Sequence, residues 1–385
     1  MITVIADDFT GAAELGGIGL RYGLDVEICR SVPQSTQTDI LIIATNTRIM
    51  DEEEATKTID GILSQLNDVD VTNFFKKTDS VLRGHVIAEL EAVQQHLGNQ
   101  NVLLVPSNPS LNRTISDEIY YVEGQPVHET SFANEYQKKP SSSHILELLN
   151  TDKKDISILR IDQPFISCPF VVGEAQTVAQ VESWAHNGAA DRRILGGGAD
   201  FFAAFLKSRG YSQKHLSSPG PNFSGSTSKW LLVCGSASEF SGDYVARAWQ
   251  QGEAVCVMPE VLFESIGAGN GIDEALVEQW ADDIKRAVDD NYRVIVAIQK
   301  PLINDEEVSQ KLSTCLAYVT TKVLRNTELR ELFIEGGSTA AAIIQRLEFD
   351  FFLPVQELAP GVIRMQVAEH PKLYLTLKPG SYSWP

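Results

Sequence analysis

Positive charge is what this 385-residue chain has least of: 32 Lys and Arg stand against 51 Asp and Glu, a formal net charge of −19. That balance argues against nucleic acid as a partner, because such binding depends on neutralising phosphates with basic side chains. Cysteine is sparse as well. Cys29, Cys168, Cys234, Cys256 and Cys315 are widely spaced and never form a C-x-x-C pair, so neither a disulfide framework nor a structural zinc site is expected. Cys29, Cys234 and Cys256 lie in or beside apolar runs and read as buried thiols. No apolar stretch approaches the roughly 18 residues needed to span a bilayer, so no membrane partner is expected. Met1 runs straight into a strand ending at Asp7 and Asp8; no secretory leader is expected and the cytoplasm is the expected compartment. The G-x-x-x-x-G-K-[ST] and G-x-G-x-x-G phosphate-binding motifs are both absent.

What is present is an alternation of short apolar runs with helical periodicity. In the first half, strands are expected at 2–6, 25–29, 40–45, 73–76 and 102–105, and helices at 10–22, 51–66 and 85–96. A small hairpin is expected across Glu123-Gly124, then a strand at 156–161, helix 174–186, strand 193–195 and helix 199–208. The stretch 217–228, rich in Ser, Gly and Pro, reads as a linker. Beyond it, strands at 230–234, 254–257, 293–297 and 332–334 alternate with helices at 239–251, 273–289, 306–324 and 339–347, and 362–367 with 373–377 reads as a terminal strand pair. The expected fold is α/β: two α/β domains, 1–220 and 229–385, with largely parallel sheets and a cleft between them.

In an open parallel sheet, ligands bind outside the carboxyl ends of the strands. Four segments fall there: Asp7-Asp8-Phe9-Thr10-Gly11, Thr45-Asn46-Thr47-Arg48, Lys76 to Gly84, and Pro106-Ser107-Asn108-Pro109 running on to Arg113-Thr114. In a chain poor in Lys and Arg, finding Arg48, Lys76, Lys77, Arg83 and Arg113 beside these loops points to a local positive field for a small anionic substrate. Asp8 or Thr10 is expected to cap the next helix, and one of the two adjacent aspartates to remain free for substrate hydroxyls, a metal or a proton. Lys77, Asp79, Ser80 and Arg83 supply charge, acceptor and donor within seven residues. In the second half, Gly235-Ser236-Ala237-Ser238 and Gly336-Gly337-Ser338-Thr339 each join a strand to a helix. Such loops suit phosphate, and two of them suggest a nucleotide triphosphate site.

ADDFTGA, the Thr-Asn-Thr-Arg turn, KKTDSVLRG, the P-S-N-P…N-R-T segment, GGGADFFAAFL, the GSAS turn and EGGSTAAAIIQRL occur in that order. Together they resemble the four-carbon acid sugar kinase family, the D-threonate, D-erythronate, L-threonate and 3-oxo-tetronate kinases. The resemblance implies an N-terminal acid-sugar-binding domain and a C-terminal ATP-binding domain. It implies ATP with Mg2+, and substrate contacts at Asp8, Arg48, Lys77, Thr78, Asp79 and Ser80, to which Arg83 and Arg113 are added by position. On the nucleotide side it implies Ser236, Gly336, Gly337, Ser338, Thr339 and Gly380, with Ser238 joining from the same turn. Departures are Val81 for a usual Thr, His85 for a usual Asn, and Lys378-Pro379-Gly380-Ser381-Tyr382 in place of K-S-G-x-F-G.

The expected reaction is transfer of a phosphoryl group to the terminal hydroxyl of a sugar acid, with Asp8 or Asp79 accepting the proton and no protein metal ligand assigned. A homodimer is left open. Two other readings stand beside it. An aspartyl-phosphate phosphohydrolase would use Asp7, though Phe9 stands where that chemistry wants a second aspartate. A sugar-acid sensor that has lost ATP would fit the altered tail.

Overall fold

Ile2–Ala6 (β1) and Ile40–Ala44 (β3) are unbroken apolar runs buried along their whole length. Such runs belong in a parallel sheet covered on both faces. The computed structural model describes residues 1–385 except 67–68, 137, 152–154, 166–167, 215–227, 236–238, 299–305, 381–383 and 385. The chain divides into two compact units, Met1–Leu216 and Ser217–Pro385. The proposed linker, apart from Ser228, lies outside the described residues.

In the first unit, α1 (Phe9–Arg21) follows β1, and β2 (Val26–Cys29) precedes β3. Then come α2 (Glu52–Gln65), β4 (Phe74–Lys77), α3 (Val86–His96) and β5 (Val102–Val105). A three-stranded antiparallel sheet interrupts the alternation: β6 (Arg113–Ser116), β7 (Ile119–Val122) and β8 (Gln125–Pro126). After the short α4 (Ile145–Leu148) the chain resumes with β9 (Ile156–Leu159), β10 (Phe170–Gly173), α5 (Val178–Ala190), β11 (Ile194–Gly197) and α6 (Ala199–Ser208). The main sheet runs β2-β3-β1-β4-β11-β5-β10-β9, every pair parallel. The chain moves to one side of β1 for β2 and β3, then crosses to the other for β4, which makes the end of β1 a switch point.

Local chemistry explains the helices. Asp51 caps α2 by accepting from Glu54 N, and Glu52, Glu53 and Glu54 face the positive end of the helix dipole. Ala55, Ile59, Ile62 and Leu63 form its buried stripe. Thr177 and Gln180 build a capping box at α5, which starts this helix four residues later than the sequence pattern suggested. Phe75 of β4 packs against Phe201, Phe202 and Phe205 of α6.

In the second unit, β12 (Trp230–Cys234), α7 (Glu239–Gln250), β13 (Ala254–Val257), α8 (Glu260–Gly267), α9 (Glu274–Asp290) and β14 (Arg293–Ala297) lead to α10 (Glu306–Asn326) and β15 (Glu331–Glu335). The unit ends with α11 (Gly337–Leu347), β16 (Phe351–Ala359), β17 (Val362–Val367) and β18 (His370–Lys378). Strands β13-β14-β12-β15-β18 are parallel, and β17 and β16 continue the sheet antiparallel. Two elements went unseen in the sequence here: α8, and β16, whose Pro354 argues against a strand. A register shift between Pro354 and Gln356 accommodates the proline. β10 in the first unit was missed because four apolar residues are too few to separate from a loop. Among the described residues no helix is long and apolar enough to cross a membrane.

Gly197 ends β11 with φ +156°, and a Cβ there would lie 2.1 Å from the Val105 carbonyl oxygen. Backbone cannot step aside as a flexible side chain can, and Thr78 N donates to Gly197 O at 3.1 Å. Gly197→Ala is therefore expected to destabilise the protein by roughly 2–4 kcal/mol. A urea-denaturation midpoint equal to that of the parent protein would contradict this packing.

Candidate active site

Four strand ends of the first unit deliver one cluster. Asp8 is the N-cap of α1, its Oδ1 accepting from Gly11 N at 2.9 Å. The same oxygen accepts from Arg48 Nη2 at 2.9 Å. Arg48 arrives on a tight turn: Asn46 adopts left-handed φ 58°, and Thr45 Oγ1 donates to Ala6 O at 3.0 Å. From there Arg48 Nε reaches Asp7 Oδ2 at 2.8 Å and Nη1 reaches Asp79 Oδ1 at 3.4 Å. One guanidinium thus ties three carboxylates from two strand ends.

Asp79 is more fully committed than any other carboxylate in the cluster. Its Oδ2 accepts from Val81 N, Arg83 N and Arg83 Nε at 3.2, 3.1 and 2.8 Å, and Oδ1 accepts from Arg83 Nη2 at 2.6 Å. These bonds hold a turn in which buried Leu82 sits at φ 67°, a conformation that costs a branched residue about 1–3 kcal/mol. Burial opposes the charge on Asp79, but Arg83, Arg48 and Lys77 outweigh it and hold the carboxyl far below its usual range. Asp7 behaves likewise: burial raises its pKa, and Arg48, Lys76 and Lys77 more than reverse that. Burial works against the Arg48 charge, and Asp7, Asp8 and Asp79 overcome it, keeping the guanidinium protonated.

Neighbouring lysines on β4 point to opposite faces of the sheet. Lys76 is fully buried and pairs with Glu89 of α3 at 2.7 Å, so its role is structural. Lys77 lies on the α1 side, its Nζ donating to Thr78 O at 2.8 Å. A Cβ on Gly11 would stand 3.0 Å from that Nζ and 2.6 Å from Asp8 Oδ1, so Gly11 opens space between the two. Arg113 completes the group, Nη1 donating to Ser80 Oγ at 2.6 Å while its plane lies over Phe132. The structure therefore brings Asp8, Arg48, Lys77, Thr78, Asp79, Ser80, Arg83 and Arg113 into one neighbourhood.

Arg48 and Arg83 are matched by carboxylates. Lys77 and Arg113 have no carboxylate partner among the described residues. Buried hydroxyls nearby are also unmatched: Thr78 Oγ1, Ser107 Oγ and Tyr120 Oη have no hydrogen-bond partner among the described residues. Buried polar atoms are rarely left unpaired unless a ligand or water completes them. Sequence reasoning missed Glu14 and Tyr120. Glu14 could have been found from its spacing, since it follows Gly11 by three on the same helix face. Tyr120 belongs to the antiparallel insertion, and nothing local in its sequence points to a site. A groove of about 400 Å³ lined by Leu66, Val69, Asp70, Val71, His96, Leu97 and Gln100 carries none of these groups.

In the second unit, Gly336 (φ +97°) precedes α11 and provides no side-chain cap, so the first amides of Gly337, Ser338 and Thr339 face outward from a helix start. Gly235, at the end of β12, has no room for a side chain: a Cβ would fall 1.8 Å from Thr339 Oγ1. Beneath these turns Lys378 pairs with Glu335 at 3.1 Å, both buried, and Trp384 Nε1 donates to Glu335 Oε2 at 3.2 Å. Gly380 follows in the same terminal segment and is half-buried. Ser236 and Ser238 lie outside the described residues.

Residues 2–192 match the family described as "Sugar-binding N-terminal domain" and residues 231–382 the "Nucleotide-binding C-terminal domain". The chain belongs to this two-domain family, the four-carbon acid sugar kinases. It is 24% identical to the D-threonate kinase of Salmonella typhimurium, over 93% of this chain and 89% of that protein. It is 22% identical to the 3-oxo-tetronate kinase of Actinobacillus succinogenes, over 99% and 96% respectively. A 30% match to the D-threonate kinase of Bordetella bronchiseptica covers 38% of each chain. Two solved structures share the fold: a Haemophilus influenzae protein (TM-score 0.70, 19% identity, 99% of this chain and 97% of that one) and a Salmonella typhimurium protein (TM-score 0.77, 17%, 99% and 96%).

Arg48→Met would strand Asp7 as a buried anion, and losing one partner of such a pair costs about 3–5 kcal/mol. Asp7 and Asp79 have folded pKa values below their unfolded ones. Their stabilisation is present above the ordinary carboxylate range near pH ~4 and fades as pH falls below it. The stability gap between parent and variant should accordingly be wide at pH 7 and narrow in acid, as chemical denaturation at both pH values would reveal. A gap independent of pH would contradict the network.

Proposed function

We propose that the protein is an ATP-dependent kinase that phosphorylates the terminal hydroxyl of a four-carbon sugar acid in the cytoplasm. The observation that carries this reading is the pair of cations, Lys77 and Arg113, left without carboxylates beside unpaired buried hydroxyls in a sugar-binding domain. A sugar acid offers the complement: one carboxylate for the cations and several hydroxyls for Thr78, Ser107 and Asp8. D-threonate and 3-oxo-tetronate, named for the relatives, both have that composition.

Roles follow from which atoms are free. Asp8 spends Oδ1 on the helix cap and Arg48, leaving Oδ2 to accept from a substrate hydroxyl. Asp79 is bound on both oxygens and strongly acidic, so it is better suited to holding the Val81–Arg83 turn than to taking a proton. Lys77, without a carboxylate, is suited to the substrate carboxylate or to charge developing on the transferred group. The triphosphate would be held by amides at Gly336 to Thr339, with the residues around Gly235 and Gly380 beside it. Mg2+ would come with the nucleotide and neutralise phosphate charge; such an ion relies mainly on phosphate and water oxygens. The phosphohydrolase reading is disfavoured by Asp7, whose carboxylate is buried and paired with Arg48.

Purified protein with ATP and Mg2+ is expected to release ADP on addition of a four-carbon acid from a panel that includes threonate, erythronate and 3-oxo-tetronate. Lys77→Met is expected to lower kcat/KM by roughly 100-fold or more, the scale for losing a charge that stabilises a transition state. Release of ADP that is indifferent to every acid would count against the reading.

A further inference from the structure

Transfer to a hydroxyl requires somewhere for its proton to go, and Asp7 and Asp79, held acidic by their cationic neighbours, are poor acceptors. We infer that Glu14 of α1 is the general base that takes this proton. The inference rests on the kinase reading above.

Glu14 lies three residues beyond Gly11, on the same face of the helix. Helical side chains lean towards the amino end, which directs Glu14 towards the turn of Gly11, where a Cβ would stand 3.0 Å from Lys77 Nζ and 2.6 Å from Asp8 Oδ1. The carboxylate is half-buried and makes no hydrogen bond or ion pair with any described residue. Asp7, Asp8 and Asp79, by contrast, each have a guanidinium partner. The charges that reach Glu14 are Lys77 of β4, Arg113 of β6, Asp8 at the start of α1 and Asp200 of α6. Burial is the largest influence and raises its pKa; Lys77 and Arg113 pull it down, and Asp8 and Asp200 push it up again, leaving it above the ordinary value. A carboxylate in this state accepts protons more readily than an arginine-paired one, which is what base catalysis at neutral pH needs.

In the step itself, Glu14 accepts the proton as the substrate oxygen forms its bond to the γ-phosphorus of ATP. The bond from that phosphorus to the β,γ-bridging oxygen breaks, and ADP leaves with the electron pair. Lys77, whose charge reaches Glu14, is suited to balance negative charge on the transferred group.

The test compares Glu14→Gln, Glu14→Asp and Asp8→Asn with the parent enzyme on the acid that gives the best turnover. Glu14→Gln should lower kcat by about 100- to 10,000-fold with KM nearly unchanged, and should remove the acidic limb of the kcat–pH profile. Glu14→Asp should recover part of kcat and retain that limb. Folding is checked independently. A raised carboxyl pKa means that the folded state holds its proton more tightly, so stability from this group is complete below the ordinary glutamate range and declines as pH rises through the folded value. Glu14→Gln escapes that decline, and its melting temperature at pH 8 should equal or exceed the parent's. Retained kcat in Glu14→Gln, or an acidic limb that survives there and vanishes in Asp8→Asn, overturns the assignment to Glu14 and leaves the kinase reading intact. Absence of acid-dependent ADP release from the parent enzyme brings down both.

Discussion

The Arg48 guanidinium is the contact on which the first unit's site depends. It is half-buried, it meets Asp7, Asp8 and Asp79, and it joins the ends of β1, β3 and β4 through charge. Crowding three carboxylates into this space without it would be prohibitive, since each pays a desolvation penalty that only a well-placed cation offsets. Arg48 is positioned in turn by backbone: the left-handed Asn46 bends the chain, and Thr45 fastens it to Ala6. Gly84 packs against the Arg48 stem, where a Cβ would come within 3.2 Å of its Cγ. The turn, the glycine and the arginine form one device that sets carboxylate positions before any ligand arrives.

Asp79 extends this device to a strained loop. Four hydrogen bonds to one carboxylate are enough to hold Leu82 in the left-handed region, and Tyr136 Oη fixes the same turn by donating to Val81 O. The result is a loop whose Thr78 and Ser80 are presented next to Lys77 and Arg113. Preorganisation of this kind is what phosphoryl transfer asks of a protein, because the reaction gains more from placement and charge than from covalent participation.

The parallel alternation was legible because fully buried strands such as Ile40–Ala44 read as short apolar runs, and helices such as Glu52–Gln65 show a clean 3.6-residue stripe. The loops at strand ends were legible for the same reason: once β1, β3, β4 and β5 are placed in one parallel sheet, the loops at their carboxyl ends must share an edge. Short or irregular pieces were not. β10 offers four residues and β16 contains a proline, and of the β6–β8 insertion only the hairpin across Glu123-Gly124 was legible, β6 being missed. The distinction between Lys76 and Lys77 was also out of reach in composition alone. Strand alternation says that they diverge, but only the fold shows that one meets Glu89 and the other meets Gly11. The division of labour among the aspartates was hidden too, since it depends on where two arginines from distant loops arrive.

That division is the most informative feature of the cluster. Side chains whose charges are matched internally, Arg48, Arg83, Asp7 and Asp79, describe the frame, and they would stay in place with no ligand bound. Side chains whose capacity is unmet describe the ligand: Lys77 and Arg113 ask for an anion, Thr78, Ser107 and Tyr120 for polar partners, and Glu14 for a proton. A dry apolar ligand would satisfy none of them, and a bare inorganic anion would answer the cations but leave the carboxylate facing another negative charge. A molecule carrying one carboxylate and a short run of hydroxyls answers all three demands together. The unmet groups thus narrow the substrate more sharply than the paired ones, and they do so from physical need within a single unit of the chain.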